Sequence, residues 1–186
     1  MDLFSPEAAV DRIAPDTASL LVVDDSRTAL QVMGKRLTRM GYRVSLSETG
    51  LEALDLMQAR RFDLVLLDMG LPGLSGLATL REIRAGSATA STPVMLMTGR
   101  SDNGAALDAV EAGADDWIVK PFAFEVLGAR IARTLERART IEALRRANEA
   151  LDARIVQRAI ELGEVRAELA AARAELLRLS ATSASA

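Results

Sequence analysis

Short apolar runs alternate with amphipathic stretches through the first two thirds of the chain. Residues 19–24 (SLLVVD) are β-branched and leucine-rich, the pattern of a strand buried on both faces. Ser26 reads as the N-cap of a helix running to about residue 40, and Gly41 ends it. Residues 42–46 predict a second strand and 51–60 a second helix, and 62–68 (FDLVLLD) a third strand of the fully buried type. A helix over 74–85, a strand over 93–98, a helix over 103–112 and a short strand over 117–119 follow, and another helix starts after Pro121. Ahead of all this, residues 1–18 carry two prolines and few apolar positions; they read as a flexible leader, with at most a short helix near 6–13.

Five strands alternating with five helices imply an α/β fold with a parallel sheet covered on both faces. Right-handed crossovers make it doubly wound. In such folds ligands sit beyond the carboxyl ends of the strands, where the strand order reverses. The first strand ends in Asp24 and Asp25, the third in Asp68 and the fourth in Thr98, while the fifth runs into Lys120-Pro121. Taken singly, an Asp after a strand is usually a turn former, a Thr a strand residue and a Lys a solvated side chain. The joint placement carries the argument. Three carboxylates at one sheet edge repel unless a cation joins them, and a hard dication such as Mg2+ accepts carboxylates while keeping several waters. With an ammonium and a hydroxyl added, the set suits a phosphoryl group, and a carboxylate can itself be the nucleophile.

Composition narrows the field. The chain has 186 residues, is 49% hydrophobic and 26% charged, and has a net charge of −3, with no general attraction to nucleic acid or anionic membrane. It lacks cysteine and histidine, which removes disulfides, thiolate or zinc–histidine sites, serine–histidine catalysis and any role as a phosphohistidine donor. No signal peptide pattern and no apolar run of about 20 residues is present, so a cytoplasmic location is expected. No G-x-G-x-x-G follows the first strand and no P-loop occurs anywhere. A haloacid-dehalogenase-like phosphatase needs D-x-D in its first strand, whereas here the two aspartates are adjacent.

The segments LLVVDDS, FDLVLLDMGLPGLSG, PVMLMTGR and ADDWIVKPF resemble the signature segments of the response-regulator receiver family of two-component signalling. The resemblance covers residues 19–138 and implies a CheY-like, flavodoxin-like sheet of order 2-1-3-4-5. It also implies that Asp24 and Asp25 hold Mg2+, with Asp25 the direct ligand. Asp68 would bind the metal and accept the phosphoryl group from a sensor histidine kinase or phosphotransfer protein. The backbone carbonyl of Gly70 would complete the protein ligands, and Thr98 and Lys120 would contact the phosphoryl oxygens. The Lys120–Pro121 peptide would be cis, and Trp117 would stand where the family carries an aromatic switch residue, with core packing as the plain alternative. Two departures concern the phosphoryl lifetime: Gly70, two residues after Asp68, has no side chain, and Arg100 lies two after Thr98. No enzymatic activity is expected beyond the domain's own phosphorylation and dephosphorylation.

From residue 123 to 179 there is no proline, and Gly128 and Gly163 are the only glycines. The last receiver helix is therefore expected to continue into a parallel dimeric coiled coil over 139–179. Positions a are Ile141, Asn148, Ile155, Leu162, Leu169 and Leu176, and positions d are Leu144, Leu151, Arg158, Val165, Ala172 and Leu179; ten of the twelve are apolar. Asn148 at a fixes register and parallel pairing. Arg158 at d weakens the seam. Glu161 faces Arg166 of a second chain, and Glu168 faces Arg173, pairs that select partners more than they stabilise. An antiparallel hairpin has only Gly163 as a turn signal. Six arginines between Arg130 and Arg146 are interleaved with Glu136 and Glu142, which disfavours a DNA-binding basic region, and 180–186 read as a disordered tail. Two alternatives remain. The chain could be the input half of a longer regulator with an output enzyme such as a diguanylate cyclase, cyclic-dinucleotide phosphodiesterase or kinase. It could also be a receiver-shaped assembly module that takes no phosphate.

Overall fold

The computed structural model describes the backbone of residues 17–99 and 105–183, and side chains over 17–99 and 107–174. The expected short helix near 6–13 and the position of Arg100 lie outside these residues. Five strands and five helices alternate: β1 (Ser19–Val23), α1 (Arg27–Arg39), β2 (Arg43–Ser47), α2 (Gly50–Ala59), β3 (Leu64–Asp68), α3 (Gly76–Ala85), β4 (Val94–Thr98), α4 (Ala105–Glu111), β5 (Asp116–Val119) and α5 (Phe124–Ser183). All strand pairs are parallel and the order is β2-β1-β3-β4-β5, the doubly wound sheet expected from the sequence. The chain divides into two compact units, 1–138 and 139–186.

In the first unit the apolar runs become the three inner strands. β3 and β4 are buried along their whole length and β1 along all but its first residue, whereas the edge strands β2 and β5 are half exposed. Side chains alternate across the pleat. Leu20, Val22, Leu64, Leu66, Met95 and Met97 pack under α1 and α5, with Leu30, Met33, Leu37, Leu127 and Ile131. Leu21, Val23, Val65, Leu67, Val94 and Leu96 pack under α2 and α3, with Ala53, Met57, Leu80 and Ile83. One Leu-to-Ala truncation at such a position costs about 2–5 kcal/mol.

The helices start where side chains cap them. Ser26 accepts from Ala29 N (3.3 Å), Thr49 from Glu52 N (3.2 Å) and Ser75 from Ala78 N (3.2 Å). The Ser75 cap moves the start of α3 to Gly76, two residues past the expected 74. β3 starts at Leu64 rather than 62 because the Asp63 carboxylate turns to Ser19, accepting from its N–H (2.7 Å) and hydroxyl (2.9 Å). Gly41, with φ +92°, ends α1 in the left-handed region that a side chain resists.

The second unit is the helical segment from Arg139 onward. α5 is helical to Ser183, past residue 179 where the sequence reading ended the coil. No Pro or Gly interrupts 180–183, so nothing breaks the backbone ladder there. Seven of the apolar a and d side chains, Ile141, Leu144, Leu151, Ile155, Leu162, Val165 and Leu169, are between 42% and 65% exposed in the single chain.

Candidate functional site

Register brings the site together. β1 and β3 pair Val23 with Leu67, so Asp24 and Asp68 come next to each other at the carboxyl edge, where the strand order reverses. β4 and β5 pair Thr98 with Val119, and the Lys120 N–H donates to the Thr98 carbonyl at 2.7 Å. Asp24, Asp68 and Lys120 fall on the pleat face that covers α1 and α5, so their side chains meet.

The Lys120 ammonium bridges two carboxylates, at 2.6 Å from Asp24 Oδ2 and 2.8 Å from Asp68 Oδ1. Asp24 is 1% exposed and Asp68 8%, so this contact neutralises charge that water barely reaches. Burial pulls the Lys120 pKa down, but the hydrogen bonds and charges of Asp24 and Asp68 outweigh it, and the net shift is upward from 10.5. Asp24 Oδ1 accepts from the Ser26 N–H at 2.9 Å, which ties the Asp24-Asp25 turn to the start of α1. Asp25 is exposed, yet an oxygen from each of Asp24, Asp25 and Asp68 lies within 4.8 Å of the others. Three carboxylates and one ammonium leave an excess of negative charge. Such a cluster of hard oxygen donors, open on the Asp25 side, fits a divalent metal ion.

Gly70 lies beside Asp68, since a Cβ built on it would stand 3.4 Å from Asp68 Oδ2, the oxygen Lys120 does not hold. Thr98, 3% exposed, ends β4. Ile118 points into the α1/α5 core, so by alternation Trp117 faces the α4 side, as Thr98 does. Trp117 is 38% exposed on an edge strand, so the indole is not a core residue here. The Lys120–Pro121 peptide is cis. Asn148 lies in the second unit, far along the sequence from this cluster.

Two structural contacts in this unit were not anticipated. Gly76 packs against the backbone of the turn that follows β3: a Cβ on it would collide with the Asp68 carbonyl oxygen and lie 2.7 Å from Met69 Cα. The glycine closing the FDLVLLDMGLPGLSG segment was the available signal. On the opposite side of the unit, Arg84 donates to the carbonyls of Gly113 (2.9 Å), Ala90 (3.1 Å) and Thr92 (2.8 Å) and pairs with Asp115 (2.8 Å). It clamps α3 to the segments that lead into β4 and β5. A surface arginine near a helix end gives no such signal in sequence.

A doubly wound parallel sheet with an acidic cluster and a lysine at its switch point is the architecture of a phosphoryl-signalling receiver. The family model of the response regulator receiver domain matches residues 20–132, and the chain belongs to that family. Its relatives include the transcriptional regulatory protein AfsQ1 of Streptomyces coelicolor, 41% identical over 122 residues that cover 64% of this chain and 52% of that protein. Among solved structures, the chemotaxis protein CheY4 of Vibrio cholerae is 31% identical, with a TM-score of 0.61 over 63% of this chain and 98% of its own. A BeF3-activated DrrB receiver domain is 38% identical, with a TM-score of 0.57 over 64% of this chain and 98% of its own. The chain spans about half the length of the first curated relatives it matches. Among the described residues, no helix is long and apolar enough to cross a membrane.

Proposed function

We propose that Asp68 accepts a phosphoryl group from a phosphohistidine of a sensor histidine kinase or phosphotransfer protein. The observation that carries this is Asp68 at the end of β3, one carboxylate oxygen held by Lys120 at 2.8 Å within a three-carboxylate cluster. An oxygen of Asp68 attacks phosphorus, the phosphorus–nitrogen bond of the donor breaks, and the imidazole leaves with the electron pair. Asp24, Asp25, Asp68 and the Gly70 carbonyl would hold Mg2+, which would supply positive charge for the transferring group. Lys120 turns from the Asp68 oxygen to a phosphoryl oxygen, and the Thr98 hydroxyl donates to another. The BeF3-activated state of the DrrB neighbour supports this chemistry, because beryllofluoride on a carboxylate mimics a phosphoryl group.

The output is protein–protein pairing. Thr98 and Trp117 share a pleat face, so a charge drawn to Thr98 repacks the surface formed by α4, β5 and the start of α5. The exposed a and d stripe of the second unit is covered by a second copy of the chain, in a parallel coiled coil with Asn148 setting register. The dimer dissociation constant of the full chain, measured with and without beryllofluoride and Mg2+, tests the coupling. A change that disappears in Asp68→Asn is expected; equal affinity in all states sinks it. A second reading, in which this receiver and coil are the input part of a longer regulator, rests on the relatives' greater length alone. Relatives described as transcriptional make a nucleic-acid output for such a whole protein the first to examine.

A further inference from the structure

The second unit carries another apolar stripe besides the a and d seam. Ala153, Val156, Ile160, Gly163, Ala167 and Ala170 recur at alternating intervals of three and four, the b and f positions of the same heptad frame. These positions lie on the far side of the helix from the seam, so a parallel dimer leaves them bare. All six residues are exposed, Val156 by 60% and Ile160 by 53%. None of the charged residues between 152 and 173 falls on the stripe. It also has a definite start: the preceding positions of the same face are Glu142, Arg146 and Glu149, and Glu142 bonds Arg146 at 3.1 Å.

A solvated helix face has no use for three of these residues. Val and Ile lose side-chain freedom in a helix, and Gly is among the poorest helix formers. Gly163 has no compensating reason inside the chain, since a Cβ built on it meets nothing within 4 Å. A second copy laid antiparallel supplies one. With Ile160 opposite Gly163, the same register sets Val156 against Ala167 and Ala153 against Ala170, so each large side chain meets a small one. Asp152 then comes beside Arg173, twice by symmetry, and neither has an opposite charge three or four residues away on its own helix. Sliding the pair by one heptad sets Val156 on Ile160 in one direction and Arg166 on Arg166 in the other. A parallel pairing through the stripe would set Gly163 on Gly163 and leave a gap.

We propose that this stripe docks a second copy of the chain, antiparallel, and so joins parallel dimers into larger assemblies. The inference rests on the parallel dimer proposed above for what is joined, while the stripe itself does not require that seam. The small side chains let the two helix axes approach to the near end of the usual range of roughly 8–10 Å, where Val156 and Ile160 fill the space over Ala167 and Gly163. Each parallel dimer presents two such stripes, one on each helix, so association proceeds to four chains and beyond as concentration rises.

Sedimentation of the full chain over a concentration series, with Ile160→Lys beside wild type, tests the idea. The variant charges the stripe and leaves every a and d residue in place. Wild type is expected to reach at least twice the dimer mass, and Ile160→Lys to stop at the dimer. Growth past the dimer in both overturns the stripe, and so does a dimer ceiling in both, which leaves the parallel seam standing. A wild-type dimer with a monomeric Ile160→Lys keeps the stripe and removes the parallel seam, while monomers throughout remove both. Direction is read with cysteines, of which the chain has none of its own. Ala153→Cys and Ala170→Cys should form a disulfide under mild oxidation only when the two variants are mixed. Self-crosslinking of either variant alone, or no crosslink in the mixture, overturns the antiparallel register.

Discussion

Lys120→Met removes the ammonium from the site while keeping most of the side chain's apolar length. It deletes two short charge-assisted bonds, to Asp24 at 2.6 Å and to Asp68 at 2.8 Å. Each such bond contributes about 1.5–3 kcal/mol, and stripping one partner from a buried pair leaves an uncompensated charge. The lysine side chain is 31% exposed, so water screens part of the interaction and the lower end applies. A loss of about 2–4 kcal/mol follows, which for a domain of this size is a fall in Tm of roughly 6–15 °C. A second cation should restore what the first supplied. Mg2+ at about 100 times its dissociation constant adds about 2.7 kcal/mol to any state it binds, and the variant, with three uncompensated carboxylates, should bind it more tightly than the wild type does. Thermal melts of both proteins with EDTA and with Mg2+ read this directly. The raised Lys120 pKa fixes the pH dependence: a group whose folded-state pKa is raised contributes fully below 10.5 and loses that contribution as pH rises through the folded value. The difference between wild type and variant should therefore be constant around neutral pH and shrink in the alkaline range above 10.5. A Lys120→Met protein as stable as wild type in EDTA refutes the reasoning, as does an equal Mg2+ gain in both.

Gly76→Ala should destabilise the first unit by about 1–3 kcal/mol through overpacking and weaken Mg2+ binding, because the added methyl pushes on the Asp68 carbonyl; titrating Mg2+ into the folded variant and comparing affinities checks this. Arg84→Ala should cost about 2–3 kcal/mol in urea unfolding by orphaning the carbonyls and Asp115 it serves, yet leave Mg2+ affinity unchanged, since it touches no site residue. Leu127→Ala, at a fully buried position under the sheet, should cost about 2–5 kcal/mol by the same assay. Asn148→Leu should tighten the dimer while relaxing its register, read as a broader distance distribution between spin labels on the two helices.

The inner strands were legible because burial on both faces forces unbroken apolar runs, as in LLVV and LVLL. The site was legible for a related reason: a charged residue at the end of such a run has nowhere to go but the sheet edge, and the parallel register aligns those edges. The strand starts were less legible. Phe62 extends the apolar run back past Asp63, but the Asp63 carboxylate is used to hold Ser19, a contact across 44 residues that no local pattern encodes. The same holds for the Arg84 clamp, which reaches Asp115 across 31 residues. The bridging role of Lys120 was also hidden. Sequence placed it opposite the acids, while its simultaneous hold on Asp24 and Asp68 follows from pleat parity, which needs the register. Trp117 read as an aromatic switch position with core packing as the plain alternative, and its 38% exposure on the edge strand disfavours core packing. The helix to Ser183 outran the expected end at 179 because small polar residues there permit a helix without demanding one.

The account stands on Asp68 as the phosphoryl acceptor, and labelling by a small phosphoryl donor tests that most directly. Incubation of the full chain with acetyl phosphate and Mg2+, followed by intact mass and peptide mapping, should give one phosphoryl group, on Asp68. The label should be absent in EDTA and in Asp68→Asn. An unlabelled wild-type chain in Mg2+, or label that persists on Asp68→Asn at the same yield, would contradict the assignment and leave the domain as an assembly module.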